Sequence, residues 1–448
     1  MRIFAVSACI TFLLCCLIFT SCTESTGRND LHQTFDNLYK STVNQYRAKS
    51  YPEGTVQANR LVELADALDE EDKKAKASLL LASFYRKQSN IEGALTYFFK
   101  AYDNFKAIDN KKFMAESLKR IGLLCIDAAS HELAHEYFDR ELELREQLND
   151  PKKIANAHYN IAVAERFLTN YDSAFNHLFT ALKVYEEGGF HENQIQTHLE
   201  LGLTFVSSDR FDEALSQYQQ SLKLFETFSA NKEYKARLYN DLGVVHANKG
   251  NMSEALEYYL QALEVESSIN DPKLTIYTLN SLGDYYSEID DSNKAITYYE
   301  QAISLEGVEK NIIEYKKALK SLVSFYRKER NEVRALDYSE KLITFLDRHA
   351  DQTAWLIAQH KQEQIKNTTL EYQNAKLRQA NLIKSNQNLK LIVGILLTLI
   401  LLGVAAFLVF YFRKDRNEYK DLAGALKENY RENYLKVREL SQSQGQGD

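Results

Sequence analysis

Seven alanines recur along this chain at an almost constant interval of about 40 residues, which lies within the range of known structural repeats. They are Ala94, Ala134, Ala174, Ala214, Ala255, Ala295 and Ala335, and only the step from Ala214 to Ala255 is longer, by a single residue. A small residue that returns at one interval indicates a structural unit copied seven times, and copied units of this length stack into a solenoid. Such a fold offers a long surface for binding rather than an enclosed set of reactive groups.

Other positions recur in register with the alanines. Twelve residues earlier stands a small or compact residue, directly after a large aliphatic one: Leu81-Ala82, Ile121-Gly122, Ile161-Ala162, Leu201-Gly202, Leu242-Gly243, Leu282-Gly283 and Leu322-Val323. Four residues later stands a large, mostly aromatic residue: Phe98, Phe138, Leu178, Tyr218, Tyr259 and Tyr299, with Ser339 breaking the pattern. Offsets of 3, 4 and 7 place residues on one helix face, so the pattern predicts helix pairs that cross closely at the small residues.

The repeat unit resembles the tetratricopeptide repeat (TPR) family over about residues 75–345. The copy that matches best consists of Tyr239, Leu242, Gly243, Ala255, Tyr259 and Ala262. The resemblance implies an all-α, TPR-type α-solenoid of about seven helix–turn–helix repeats. The interval of about 40 residues exceeds the usual 34 of the family, which predicts longer helices.

Two further features mark helix boundaries in this array. Asp150 before Pro151, and Asp271 before Pro272, predict a helix N-cap followed by proline at the first helical position. Residues 35–67 fit one more, degenerate helix pair, in which Gly54 takes the place of the alanine. A degenerate pair suits the capping unit at the end of a solenoid. The predicted solenoid therefore covers residues 35–346.

Composition limits the classes of function. The chain of 448 residues has only 3 Pro and 16 Gly but 28 Tyr and 23 Phe, which favours a helical array with a large buried seam. Its net charge is −7, whereas nucleic-acid-binding surfaces are basic. Neither a glycine-rich phosphate loop nor a CxxC pair occurs. We therefore expect no nucleic-acid partner, no cofactor and no enzymatic activity.

The first residues have the pattern of a secretory signal sequence. Arg2 precedes an apolar stretch over residues 3–20, and polar residues follow, so we assign 1–21 as the signal and 22–34 as a linker. The run Ile18-Phe19-Thr20-Ser21-Cys22 resembles a bacterial lipobox, which implies lipidation of Cys22. Because Phe19 stands where that motif prefers Leu, Ile or Val, ordinary cleavage and an uncleaved anchor remain alternatives.

A second apolar segment lies near the other end. Residues 391–412 contain no charge, and a helix of this length spans roughly 33 Å, enough for the hydrocarbon core of a bilayer. Residues 350–390 are polar with sparse apolar positions, which predicts a helical stalk, either a single solvated helix or a coiled coil. Residues 413–448 are predicted to form an amphipathic helix with a disordered end. The signal sequence places the repeats in the periplasm and this tail in the cytoplasm, across a bacterial inner membrane.

This order of segments resembles bacterial membrane regulators that have extracytoplasmic TPR sensor arms. In those proteins a histidine kinase or a helix-turn-helix domain follows the span. Here only the segment 413–448 follows it, which is too short for a kinase core. The resemblance implies a scaffold or the sensory component of a signalling assembly, whose tail contacts a partner helix or a second copy of the chain.

One short motif favours a different function. Residues 131–135, His131-Glu132-Leu133-Ala134-His135, match H-E-x-x-H, in which two histidines four apart bind zinc and the glutamate acts as a general base. Ala134 is one of the seven repeat alanines, however, and both histidines occupy positions filled by packing residues in other repeats. We predict packing roles and no metal site, with a zinc-dependent peptidase as the alternative.

The resemblance to TPR proteins also implies a binding face. In that family the first helix of each repeat lines the concave face, which binds extended peptides or protein segments. Asparagine both donates and accepts hydrogen bonds, and arginine can bind a carboxylate with two parallel bonds. The candidate peptide- or partner-binding residues are Asn156, Tyr159, Arg166, Arg237, Asn240, Asn248 and Asn280. The alternative is that these side chains are simply solvated.

Overall fold

The computed structural model describes residues 30–411, apart from 229–230, 270, 306 and 309–310, and also residues 426–429, 431–433 and 436. No strand occurs among these residues. The predicted signal sequence, Cys22 and most of the predicted tail lie outside the described residues. Two compact units divide the chain, one up to Ala358 and one from Gln359 onwards.

Helices joined by short connections make up residues 30–411. Helix α1 covers residues 30–47. The others are α2 (Tyr51–Leu68), α3 (Glu71–Lys87), α4 (Ile91–Ala107), α5 (Lys111–Asp127), α6 (His131–Gln147), α7 (Pro151–Phe167), α8 (Tyr171–Glu187), α9 (His191–Ser207), α10 (Phe211–Phe228), α11 (Lys232–Asn248), α12 (Met252–Ile269), α13 (Pro272–Glu288), α14 (Ser292–Ser304), α15 (Ile312–Lys328) and α16 (Glu332–Tyr411).

The repeat interval has a simple structural origin. From α3 to α9 every helix has 17 residues. Three residues separate each of these helices from the next, so one repeat is two helices and two such connections. The sequence predicted longer helices, and helices of 17 residues with connections of three residues account for the whole interval. The odd-numbered helices from α3 to α15 are the first helices of the repeats.

The connections share one backbone conformation. A residue with positive φ, between 51° and 62°, follows the end of most helices, at positions such as Asp69, Asp109 and Asn149. The next helix then begins with an N-cap. Asp150 accepts a hydrogen bond from the backbone N of Lys153 at 3.1 Å, which confirms the N-cap predicted before Pro151. A polar side chain in this position satisfies a backbone N–H that has no partner inside the helix.

The small residues of the repeat lie under aromatic rings. A Cβ atom added to Gly202 would lie 2.2 Å from the ring of Tyr218, and one added to Gly243 would lie 2.5 Å from the ring of Tyr259. Gly54 in the terminal pair has the same relation to Phe84, at 2.1 Å. All seven repeat alanines are buried. The predicted close helix crossing at small residues is confirmed.

Within the first unit, α16 packs against the first repeats. Leu356 of α16 is 1% exposed and belongs to the same apolar cluster as residues of α3 to α7, with Trp355 packed beside it. Arg348 and Gln352 line a cavity of about 190 Å³ together with residues of α3, α5, α13 and α15. The start of the segment 350–390, which the sequence assigned to a solvated stalk, is therefore packed into the repeat array.

Leu356→Ala tests this packing. We expect it to destabilise the first unit by about 2 kcal/mol, because it removes buried methyl groups at the point where α16 joins the first repeats. The measurement is chemical unfolding of the full chain in detergent, followed by the fluorescence of Trp355, the single tryptophan. The neighbouring Ile357 is 39% exposed, and Ile357→Ala is the control. Equal effects of the two substitutions would contradict this packing.

The second unit contains the continuation of α16. This helix runs without a break from the last repeat to Tyr411, so the segment predicted as a stalk is helical. Of the described residues, those of α16 alone form a helix long and apolar enough to cross a membrane, and its apolar window is not buried. Leu391, Leu396 and Leu401 are among its exposed side chains.

Candidate functional site

A cavity of about 650 Å³ lies along the first helices of consecutive repeats. Its lining comes from α5, α7, α9, α11, α13 and α15, with single residues from second helices such as Tyr218 of α10 and Glu266 of α12. In four of the seven repeats the residue directly before the aliphatic–small pair lines the cavity: Asn160, Glu200, Asp241 and Ser281. The volume falls within the ~300–1,000 Å³ typical of ligand pockets.

Glu200 is the centre of a charged bridge across three first helices. Its Oε1 lies 2.6 Å from Nε of Arg166 on α7, and its Oε2 lies 3.2 Å from Nη2 of Arg237 on α11. The carboxylate is only 2% exposed. Burial alone would raise the pKa of Glu200, but the charges and hydrogen bonds of the two arginines outweigh burial and hold its pKa below the ordinary value. The bridge fixes the relative positions of α7, α9 and α11.

The negative charge of Asp241 is less well balanced by positive side chains than that of Glu200. Nε of Arg237 lies 3.7 Å from its Oδ2, too far for a hydrogen bond. Burial raises the pKa of Asp241 to about 6, against the opposing charge of Arg237. Within the described part of the chain, four buried atoms of the lining have no hydrogen-bond partner, namely Oδ2 of Asp241, Oδ1 of Asn240, Oη of Tyr218 and Oε2 of Glu266. Such atoms are costly to leave unpaired, so they mark where a ligand can bind.

Four of the seven predicted binding residues meet at this cavity. Tyr159, Arg166, Arg237 and Asn240 line it. Both arginines are already bound to Glu200, which the sequence interpretation did not foresee. Their guanidinium groups are therefore less available to a ligand carboxylate than the resemblance implied.

The other three predicted residues are not in the lining. Asn280 is fully buried, and its Nδ2 donates to the backbone O of Glu314 at 3.0 Å and to its Oε2 at 2.8 Å, which ties α13 to α15. Asn156 accepts a hydrogen bond from Oη of Tyr185 at 2.7 Å. Asn248 is exposed, and its Nδ2 donates to the backbone O of Val244. The structure gives these asparagines hydrogen bonds within the array.

The residues that the sequence interpretation missed are mainly acidic. Glu200, Asp241 and Glu266 all line the cavity, and Tyr218 was interpreted only as a packing residue. A usable signal existed for the first two, because both stand directly before the aliphatic–small pair, at the position that points inward in neighbouring repeats. Glu266 lies on a second helix, outside that register.

Glu266 provides a test of the electrostatics of the cavity. Its Oε1 accepts a hydrogen bond from Oγ1 of Thr278 at 2.6 Å, and burial raises its pKa to about 7 from an ordinary 4.5. A raised pKa means that the folded state binds the proton more tightly than the unfolded state. The stabilising contribution is therefore present below pH 4.5 and lost as the pH rises through about 7.

Glu266→Gln is accordingly expected to stabilise the array at pH 8. The difference between the ordinary pKa of 4.5 and the folded-state pKa of about 7 corresponds to a gain of about 3 kcal/mol in the free energy of unfolding. The amide nitrogen of the glutamine has no partner and costs about 1 kcal/mol, so the expected net gain is about 2 kcal/mol. The gain should disappear near pH 4.5. Thermal unfolding between pH 4.5 and 8 measures it, with Glu264→Gln on the exposed side of α12 as the control. A gain that does not depend on pH would contradict the raised pKa.

The two histidines of the H-E-x-x-H match have separate surroundings. The ring of His131 stacks on Phe167 with the ring centroids 4.3 Å apart. His135 faces the carboxylates of Glu165 and Asp139, at 2.7 Å and 3.2 Å. No cluster of three or more His, Cys, Asp or Glu with metal-binding geometry was found in the described portion of the chain.

Sequence comparison identifies the repeats directly. The tetratricopeptide repeat profile matches residues 153–227 and 234–305, so this part of the chain consists of tetratricopeptide repeats. These residues include most of the cavity lining. No curated protein sequence matches the chain.

Solved structures show the same fold. The apo form of RapI aligns with a TM-score of 0.54 at 18% identity, over 62% of this chain and 98% of that one. A Rap protein complexed with competence and sporulation factor aligns with a TM-score of 0.52 at 11% identity, over 71% and 99%. NprR in complex with its cognate peptide NprX aligns with a TM-score of 0.50 at 17% identity, over 70% and 88%. At these identities the likeness is one of fold.

Proposed function

We propose that this chain binds a peptide, or an extended segment of a partner protein, in the cavity along its first helices. The observation that carries the proposal is the set of buried, unpaired polar atoms of Tyr218, Asn240 and Asp241 in that cavity. A peptide presents backbone and side-chain donors that can satisfy such atoms, and apolar neighbours such as Val244 and Leu203 can cover its side chains.

Relatives in fold support this proposal. NprR was solved with its cognate peptide, and a Rap protein with competence and sporulation factor. Those ligands belong to those proteins. For the present chain they support the expectation that a helical repeat array of this fold can bind a peptide ligand.

The chain is further proposed to act as a scaffold or as the sensory component of a signalling assembly at a bacterial inner membrane. Residues 391–412 would form the span, 1–21 the signal sequence, and lipidated Cys22 a second anchor. The repeats would then lie in the periplasm and residues 413–448 in the cytoplasm, where they contact a partner helix or a second copy. This proposal includes no enzymatic activity.

Peptide selection with matched variants tests the binding proposal. The full chain in detergent micelles is incubated with an equimolar pool of random heptapeptides, and mass spectrometry identifies the retained sequences. We expect enrichment with the natural chain and with Asn248→Leu, and at least a tenfold loss with Asn240→Leu. Both asparagines lie on α11, but only Asn240 lines the cavity. No enrichment, or equal enrichment with both variants, would overturn the proposal.

Protease protection tests the proposed topology. Protease added to spheroplasts should digest the repeats and leave a fragment that contains residues 413–448.

Deleting 413–448 should abolish any signalling output while peptide binding is retained. Protection of the repeats would contradict the periplasmic location, and stoichiometric zinc in the purified protein would instead favour the peptidase alternative.

A further inference from the structure

We propose that the ligand of this cavity carries a positively charged ammonium or guanidinium group, which is received by Tyr218, Asn240 and Asp241. This inference rests on the proposed function, because it assigns a chemical class to the ligand of the same cavity. The charged group can come from a lysine or arginine side chain or from the free N-terminus of a peptide.

The three receiving side chains are buried and incompletely hydrogen-bonded. Tyr218 is 0% exposed, and Asn240 and Asp241 are each 6% exposed, yet all three line the cavity. Their atoms without a partner among the described residues are two oxygen acceptors and one hydroxyl, which can accept or donate. A group made only of donors is the best complement. Ammonium has three donors and no acceptor, and guanidinium has five.

The positive side chains of the lining are already paired. Arg166 and Arg237 both bind Glu200, and Nζ of Lys317 lies 2.5 Å from Oδ2 of Asp284. A ligand carboxylate would therefore have to share these cations with acids that already make charge-assisted hydrogen bonds to them. Four carboxylates line the cavity against these three cations: Glu200, Asp241, Glu266 and Glu314. The uncompensated charge is negative once these acids ionise, which favours a cationic ligand.

Binding of a cationic ligand should be coupled to the release of a proton from Asp241. The charged and titratable groups that face it are Arg237 on its own helix and, from the helices packed around it, Arg166, Glu200, Tyr218 and Tyr259. Burial raises its pKa to about 6. A cation placed against the carboxylate stabilises the ionised form and lowers this pKa. Binding at pH 6 should therefore release a proton, and the affinity should fall as the pH decreases below 6.

Four defined peptide pools test the inference. All are equimolar random pentapeptides with an amidated C-terminus, and the full chain in detergent micelles selects from each. Three pools are N-acetylated and differ at one fixed position. The first contains lysine or arginine there, the second norleucine and the third glutamate. The fourth has norleucine and a free N-terminus. We expect at least tenfold greater enrichment from the lysine/arginine pool or the free-amine pool than from the other two, and the stronger of these identifies the source of the charge.

Two variants locate the receiving group. Asp241→Asn keeps the shape, and Tyr218→Phe removes only the hydroxyl. Each should reduce binding of the selected cationic peptide at least fivefold, and Asp241→Asn should reduce the proton release that calorimetry detects at pH 6 in buffers of different ionisation enthalpy. Asp212→Asn, at an exposed site on α10, is the control. Unchanged circular dichroism and a cooperative thermal transition verify that the variants fold.

The outcomes separate the two proposals. Preferential binding of norleucine or glutamate peptides would overturn the cationic ligand while leaving peptide binding intact. Cationic binding that is unaffected by both variants would overturn the assigned residues. Binding from none of the four pools would overturn the proposed peptide-binding function itself, together with this inference.

Discussion

Glu200→Gln is expected to destabilise the repeat array by about 4 kcal/mol, because removing one partner of a buried ion pair leaves uncompensated charge, which costs about 3–5 kcal/mol. The carboxylate is buried and bound to Arg166 at 2.6 Å and to Arg237 at 3.2 Å. In the variant, two guanidinium groups would face each other without the acid between them. Chemical unfolding of the full chain in detergent, followed by circular dichroism, measures the loss.

An exposed ion pair in the same array is the matched control. Glu213 binds Arg210 at 2.9 Å, but both side chains are about half exposed. Solvent-exposed pairs contribute at most about 1 kcal/mol, so Glu213→Gln should have little effect. If Glu200→Gln cost no more than Glu213→Gln, the buried bridge would not stabilise the array.

The effect of Glu200→Gln also has a pH dependence of known sign. The pKa of Glu200 lies below its ordinary value, because the two arginines outweigh the effect of burial. Its stabilising contribution is therefore present above the ordinary pKa of 4.5 and lost as the pH falls through the lower folded-state value. The difference between the natural chain and the variant should be constant from pH 6 to 8 and shrink in acid.

The sequence specified the helix pairs because their packing is local. An alanine, the aromatic residue four positions later and the small residue twelve positions earlier all lie within one helix pair, so the repeat register fixes their contacts. The prediction of small residues at helix crossings therefore holds from Gly122 to Gly283. The N-caps Asp150 and Asp271 were equally predictable, since each accepts a hydrogen bond from a backbone N–H only two or three residues later.

The charged bridge was not predictable by the same reasoning. Arg166 and Arg237 lie 34 and 37 residues from Glu200, and neither distance is the repeat interval. A glutamate on a first helix normally indicates a solvated face, whereas Glu200 is only 2% exposed and is bound by arginines of the two neighbouring first helices. The packing of Leu356 could not be predicted either, because the residues that it contacts lie in α3 to α7, far away in the sequence.

Gly243→Ala is expected to destabilise the array by about 3 kcal/mol, although alanine normally stabilises a helix by about 1 kcal/mol relative to glycine. A Cβ atom at this position would lie 2.5 Å from the ring of Tyr259, which is itself buried at the helix crossing. Forcing extra volume into a packed interior costs about 1–3 kcal/mol, and this ring is only 2% exposed, which leaves it little room to relax. In Gly394→Ala, the control, the new methyl group would contact nothing within 4 Å.

Two other repeats indicate how this loss can be reversed. Ala162 is paired with Leu178 instead of an aromatic residue, and Val323 with Ser339, so in these two repeats a larger residue on one helix accompanies a smaller one on the other, whereas Ala82 is paired with Phe98. Tyr259→Leu alone should leave a cavity that costs about 2 kcal/mol. Combined with Gly243→Ala it should reproduce the pair at Ala162, and the double variant should be more stable than the sum of the single losses by about 2 kcal/mol. Strictly additive losses in this cycle would mean that the two positions do not share one packing site.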